Sequence, residues 1–165
     1  MKFYYILYPR PVVIVGSGSI KNNKINFMSI AWITPLSEDP PTVGFSSYKE
    51  NYSNCLIEEF RQFSVIVIND IDLILKIGSV SGKEKNKVEL FKLDVISGKK
   101  LDVPILKNNL AYLECKLIDK KEIGECVFYI GEVVYWEAKE SSGYIWKEIN
   151  KVPLHKGGKL FSFIK

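Results

Sequence analysis

Valine, isoleucine and tyrosine recur along this chain in short runs broken by glycine, proline, asparagine and serine, a pattern that commits most of it to β-strands. The runs are Val12 to Gly16, Phe27 to Ile33, Thr42 to Ser46, Phe63 to Ile68, Ala111 to Lys120, Val127 to Trp136 and a short one near Leu160 to Ile164. Between the first two, SGSIKNNKIN supplies Gly18, Asn22 and Asn23, which tolerate positive φ and suit an extended hairpin. Two segments carry helical spacing instead. Asn51 to Phe60 sets Cys55, Leu56 and Phe60 on one face, with Asn51 or Ser53 as N-cap. Asp70 to Val80 groups Ile71, Leu75 and the Ile74/Ile77 pair behind Asp70 and Asp72. Many short strands leave unpaired edges unless the sheet closes, so the pattern predicts a mainly β chain with short helices, built as a closed barrel. Over 165 residues there is no repeat and no linker, and one domain spanning residues 1–165 is expected.

Residue counts then narrow the chemistry. Cys55, Cys115 and Cys126 are odd in number, widely spaced and form no CxxC pair, which argues against a disulfide framework or a zinc ribbon. His155 is the only histidine, so no multi-histidine metal site exists and any Ser-His or Cys-His pair would have to use it. The opening MKFYYILYPRPVVIVG is apolar, but Pro9, Arg10 and Pro11 interrupt it and no small-residue cleavage site follows. Nothing reaches the roughly 20 apolar residues that span a bilayer. The chain therefore reads as cytoplasmic and reduced, without a membrane partner. A net charge of +4, with acidic residues interspersed among the basic ones, gives no nucleic-acid stripe. The densest basic stretch, Gly82 to Lys92, offers Lys83, Lys85, Lys87 and Lys92 either to phosphate groups or to solvent.

Three places carry candidate chemistry. After Thr42 to Ser46, the residues Ser46, Ser47, Tyr48, Lys49, Asn51, Tyr52 and Ser53 precede or open a helix. Unpaired N–H groups and a positive dipole end at that point would accept a phosphate, with hydroxyls and a lysine completing its shell; simple capping by Asn51 and Ser53 is the alternative. In NFMSIAWITP, period two puts Met28, Ile30 and Trp32 on one face and the small Ser29 and Ala31 on the other, where a flat ring can approach the backbone or a barrel wall can merely pack. In PLHKGG, His155 is either a hydrogen-bond or proton donor to a ligand, or structural.

The order and wording of these segments resemble the flavin reductase-like family of FMN-binding split barrels. The likeness runs through RPVVIV (Arg10 to Val15), NFMSIAWITPLSEDPPTVGFS (Asn26 to Ser46), NYSNCLI (Asn51 to Ile57) and GSVSGKEKNKVELFKL (Gly78 to Leu93). It continues in LAYLECKL (Leu110 to Leu117), FYIGEVV (Phe128 to Val134) and PLHKGGKLF (Pro153 to Phe161). The resemblance implies a homodimeric antiparallel split barrel that binds FMN near the subunit interface. By likeness, Met28, Ser29, Ile30 and Ala31 would line the isoalloxazine, and Ser46, Ser47, Asn51 and Ser53 would hold the ribityl phosphate. Lys87, after Ser81 and Gly82, would approach the flavin or its phosphate, and His155 would sit near the site. Asn51 stands where family members commonly carry arginine, leaving Lys49 as the nearest cation in sequence. Gly124, Glu125 and Cys126 stand where many members carry a glycine-acid-histidine run.

The implied activity is NAD(P)H-dependent flavin reduction, with electrons passed to free flavin, iron or a partner oxygenase; an FMN-binding electron carrier or flavin store is the alternative. No catalytic side chain is required beyond a role for His155, because the cofactor carries the chemistry. GSGS at Gly16 to Ser19 lacks the third glycine of a dinucleotide fingerprint, so NADH or NADPH would stack over the flavin rather than use a Rossmann turn.

Overall fold

The computed structural model describes residues 2–139 and 151–163. After a 3-10 turn at Phe3–Leu7, the strands are β1 (Arg10–Pro11), β2 (Val13–Ser19), β3 (Lys24–Ile30), β4 (Ile33–Glu38), β5 (Pro41–Tyr48) and β6 (Gln62–Val67). They continue with β7 (Val95–Ser97), β8 (Pro104–Leu106), β9 (Ala111–Ile123), β10 (Cys126–Ala138), β11 (Leu154–Gly157) and β12 (Leu160–Ser162). The helices are α1 (Tyr52–Phe60), α2 (Ile71–Ser79) and α3 (Lys87–Leu90).

Seven strands form one antiparallel sheet in the order β3-β2-β6-β9-β10-β5-β4. The two ends of that order, β3 and β4, are consecutive in the chain and separated only by Ala31 and Trp32. One run of chain thus serves both edges: the Ser46 N–H of β5 donates to the Trp32 carbonyl (2.8 Å), extending the β4–β5 ladder into the link, and Ser47 of β5 reaches Met28 of β3. The sheet closes into a barrel with no long free edge, the outcome expected for many short strands.

Alternation along the strands divides the core in two. Val13, Val15, Met28, Ile30, Phe45, Phe63, Val65 and Tyr129 point inward and pack together. Ile14, Phe27 and Ile66 point outward, where Ile74 and Ile77 of α2 and Ile105 of β8 cover them. Strand β2 is therefore buried on both faces throughout its length. Each such large apolar side chain contributes about 1.5–3 kcal/mol by leaving water. At Gly131 a side chain would run into the Phe63 ring, so the barrel can place an aromatic inside only because that position carries none.

Several expectations shift in detail. The run Phe27 to Ile33 is two strands, broken where the chain turns from one edge to the other. Gly18 (φ 103°) and Asn23 (φ 52°) take the positive φ values of the β2–β3 hairpin, while Asn22 serves by donating to Ser19 Oγ instead. On α1 the buried face is Ser53, Asn54, Leu56 and Ile57, with Cys55 exposed. On α2 it is Ile74 and Ile77, with Leu75 facing a surface cleft. Strands β1, β7, β8 and β11 and helix α3, too short to show a period, were not anticipated, nor was β4 beyond its first residue. The last strand ends at Ser162, and Ile164 lies outside the described residues.

Glu114 on β9 is fully buried, and its carboxylate accepts from the backbone N–H groups of Lys99 (2.6 Å), Lys100 (2.8 Å) and Leu101 (2.7 Å) in the turn joining β7 to β8. It pins that hairpin to the barrel. Replacing Glu114 by Gln substitutes an N–H₂ donor for one acceptor oxygen in a pocket of donors, and we expect a loss of about 2–4 kcal/mol in unfolding free energy by urea denaturation.

Candidate functional site

Strand β3 organises the site, because successive residues along it are each tied to a different element. Asn26 Nδ2 donates to Ser53 Oγ of α1 (2.9 Å). The Phe27 carbonyl accepts from Lys87 Nζ of α3 (2.8 Å), and Met28 sulfur accepts from Ser47 Oγ of β5 (3.7 Å). Ser29 Oγ donates to the Ile74 carbonyl of α2 (2.6 Å). At Gly82 a Cβ would sit 2.6 Å from Asn26 Oδ1, so the loop between α2 and α3 lies on Asn26 only because glycine is there.

Beyond these ties the strand opens into a cleft. Ser29 and Ala31 line two neighbouring cavities, of about 220 Å³ and about 330 Å³, that meet across the β3 backbone. As period two predicts, the small side chains line the cavities while Met28 and Ile30 fill the barrel; Trp32, expected on the Met28 face, lines the smaller cavity instead, because β3 ends at Ile30 and the period ends with it. The larger cavity is a slot walled by Ile74, Leu75 and Gly78 of α2 on one side and by His155 and Phe161 on the other. The smaller is polar at one end, where Ser46, Ser47 and Asn51 converge, and aromatic at the other, where Tyr4, Tyr8 and Trp32 converge.

The polar end sits at the start of α1. Asn51 occupies the N-cap position in extended conformation but gives the helix no side-chain hydrogen bond; its Nδ2 donates to Ser47 Oγ instead (2.9 Å). The helix start therefore has no side-chain cap: the Asn54 N–H is satisfied by the Asn51 carbonyl (3.1 Å), and Asn51 is the residue of this end that lines the cavity. Hydroxyls, an amide and an uncapped helix start fit an anionic group, and the slot over Ser29 and Ala31 fits a flat ring; together they suit the phosphate and the isoalloxazine of FMN. None of the residues lining the smaller cavity is charged.

Ser29, Ile30, Ala31, Ser46, Ser47 and Asn51 meet in the smaller cavity, and His155 lines the slot. The remaining sequence-derived positions lie behind or beside these walls. Met28 is in the barrel interior and Ser53 accepts from Asn26. Lys49 pairs with Glu122 (2.6 Å), and Ser81 Oγ accepts from the Lys83 N–H (3.2 Å). Lys87 is buried, its ammonium donating to the carbonyls of Phe27 and Ile77 (both 2.8 Å), and burial pushes its pKa down to about 8. The basic stretch is thereby split, since Lys83, Lys85 and Lys92 are exposed. His155 Nε2 lies 3.0 Å from the Gly158 carbonyl, which places a proton on that nitrogen, and the ring packs between Tyr8 and Phe161. Among the described residues no group of side chains is arranged to hold a metal ion.

Sequence reasoning missed Tyr4, Tyr8 and Trp32. Tyr4 stands edge-on to Trp32 (5.3 Å between ring centres) and Tyr8 stacks near His155 (5.1 Å). The tyrosines were visible in FYYILY, but an apolar N-terminus reads first as a leader.

Residues 5–154 match the family model described as flavin reductase like domain. An uncharacterized protein of Archaeoglobus fulgidus is 33% identical over 132 residues, covering 78% of this chain and 72% of its own. Among solved structures, the FMN-binding protein from Thermus thermophilus with bound 1-cyclohex-2-enone superposes with a TM-score of 0.88 at 26% identity, over 99% of this chain and 90% of that one. Flavoredoxin from Methanosarcina acetivorans superposes with a TM-score of 0.85 at 23% identity, over 100% and 90%.

The idle cap at Asn51 is measurable against a working one. Asp70 accepts from the Leu73 N–H at the start of α2 (2.8 Å), so Asp70→Ala is expected to cost about 1 kcal/mol in denaturant unfolding, and Asn51→Ala less than about 0.5 kcal/mol.

Proposed function

The chain belongs to the flavin reductase like domain family, and from that premise we propose that it is an FMN-binding oxidoreductase that works as an NAD(P)H-dependent flavin reductase. Its electrons go to free flavin, iron or a partner oxygenase. The observation that carries this reading is the continuous cleft over Ser29 and Ala31, with a flat slot at one end and an uncapped helix start among hydroxyls at the other. The likeness to an FMN-binding protein at 26% identity supports the same cofactor.

FMN, when bound, supplies the electron-transfer chemistry, which is why the site needs no nucleophile. The chain's own residues bind and orient. Ser46, Ser47, Asn51 and the first-turn N–H groups of α1 hold the phosphate, and the backbone of Ser29 to Ala31 carries the ring. Ile74 and Leu75 exclude water from one side of the slot. His155, with its proton on Nε2 directed at Gly158, positions the β11–β12 turn and fixes the far wall. The rings of Tyr4, Tyr8 and Trp32 form an apolar end against which a nicotinamide can stack. The free cysteines, two of them buried, suit a reduced compartment, and we place the protein in the cytoplasm; among the described residues no helix is long and apolar enough to cross a membrane.

We further propose a homodimer. A cavity of about 610 Å³ on the outside of β4 is lined by Pro11, Ile33, Pro35, Val133 and Trp136, and Trp136 is 63% exposed. An apolar surface of that kind, beside the cleft that shares Trp32 and Ser46 with its neighbour around Phe3 and Leu7, suits a second copy of the chain.

An absorption spectrum after FMN addition and desalting tests the cofactor: a retained flavin band is expected. Anaerobic NADH and NADPH titrations then separate the activities, with bleaching of that band expected; tight FMN without bleaching by either nucleotide would select the electron-carrier reading. By light scattering the protein is expected to run as a dimer, and Trp136→Glu to shift it to monomer.

A further inference from the structure

We propose that Lys87 is a positioning residue that sets the separation of β3 and α2, the two elements that frame the ring slot, and that it acts through their backbones. Its side chain enters from a third element, α3, and is only 5% exposed. The ammonium reaches the carbonyl of Phe27 on β3 and that of Ile77 on α2, each at 2.8 Å. Phe27 lies two residues before Ser29, and Ile77 directly precedes Gly78; Ser29 and Gly78 both line the slot. A second tie, from Ser29 Oγ to the Ile74 carbonyl (2.6 Å), joins the same strand to the same helix one turn earlier. Two ties spaced along both elements fix not only their distance but their relative angle, so α2 can neither slide along β3 nor swing away from it.

Both carbonyls have reason to need an outside donor. Ile77 is in the last turn of α2, where carbonyls lack intrahelical partners and the dipole end is negative. Strand β3 stands at one end of the sheet order, with β2 on one side only. A charged donor makes these bonds about twice as strong as a neutral one would. Burial works against the ammonium, holding its pKa down to about 8. An apolar side chain would fill the same space without that penalty but would leave both carbonyls without this donor.

The ligand in this inference rests on the flavin reading; the latch itself does not. The test compares Lys87→Met, which keeps the stem and removes the ammonium, with Lys87→Arg, which keeps donors, and with Glu114→Gln, which weakens the distant β7–β8 hairpin. FMN dissociation constants come from flavin fluorescence quenching. Lys87→Met is expected to raise the constant by about tenfold or more, Lys87→Arg by no more than about threefold, and Glu114→Gln not measurably. An unchanged constant in Lys87→Met, or an equal rise in Glu114→Gln, would overturn the proposal. If the parent protein fails to bind FMN, the flavin reading falls, and hydrogen exchange on the ligand-free proteins decides the latch. Amides of Phe27 to Ser29 and Ile74 to Ser79 should then exchange about tenfold faster in Lys87→Met but not in Glu114→Gln, and equal rates in Lys87→Met and parent would sink it.

Discussion

The bonds made by residues 26 to 29 of β3 hold this molecule in its working shape. Asn26, Phe27, Met28 and Ser29 reach α1, α3, β5 and α2 in turn. Each bond alone is worth about 1 kcal/mol, more where the lysine donates. Their value lies in convergence: α1, whose cap lines the smaller cavity, and α2, which walls the larger one, are referenced to the same strand, so the two ends of the cleft keep a fixed relation. The hydrophobic core supplies the stability, and these polar ties supply the uniqueness of the arrangement.

Alternation made the barrel legible. Val13 and Val15 against Ile14, or Met28 and Ile30 against Ser29 and Ala31, sort to two faces by period alone, and the structure places them so. The anion-binding outline at Ser46, Ser47 and Asn51 was readable for a similar reason, since small polar residues before an amphipathic run mark a helix start. What was not legible was direction. Nothing in GKEKNKVELFK distinguishes Lys87, which turns inward to two carbonyls, from Lys83 and Lys85, which face solvent. Lys49 looked available to a phosphate and is held by Glu122, a residue distant in sequence that β10 pairing brings beside it. The aromatic end of the cleft was hidden because Tyr4, Tyr8 and Trp32 come from segments with no period of their own.

The family assignment and the physical reading converge on one cofactor from independent directions. The cleft's residues arrange a neutral polar pole beside a slot lined by small residues, and residues 5–154 match the flavin reductase like domain. The lining of the smaller cavity is uncharged, with hydroxyls of Ser46 and Ser47 and the Asn51 amide at its polar end.

The barrel seam sets a limit on how this site can change. Ala31 and Trp32 join β3 to β4, and both line the smaller cavity of the cleft. A change at either position acts on the closure of the barrel and on the wall of the cavity together. At the tip of the β9–β10 hairpin a Cβ on Gly124 would meet nothing within 4 Å, and it is the positive φ of 57° that keeps glycine there. One residue inserted between Ile30 and Ile33 would instead shift the link between the two edge strands and the wall of the cavity in a single step.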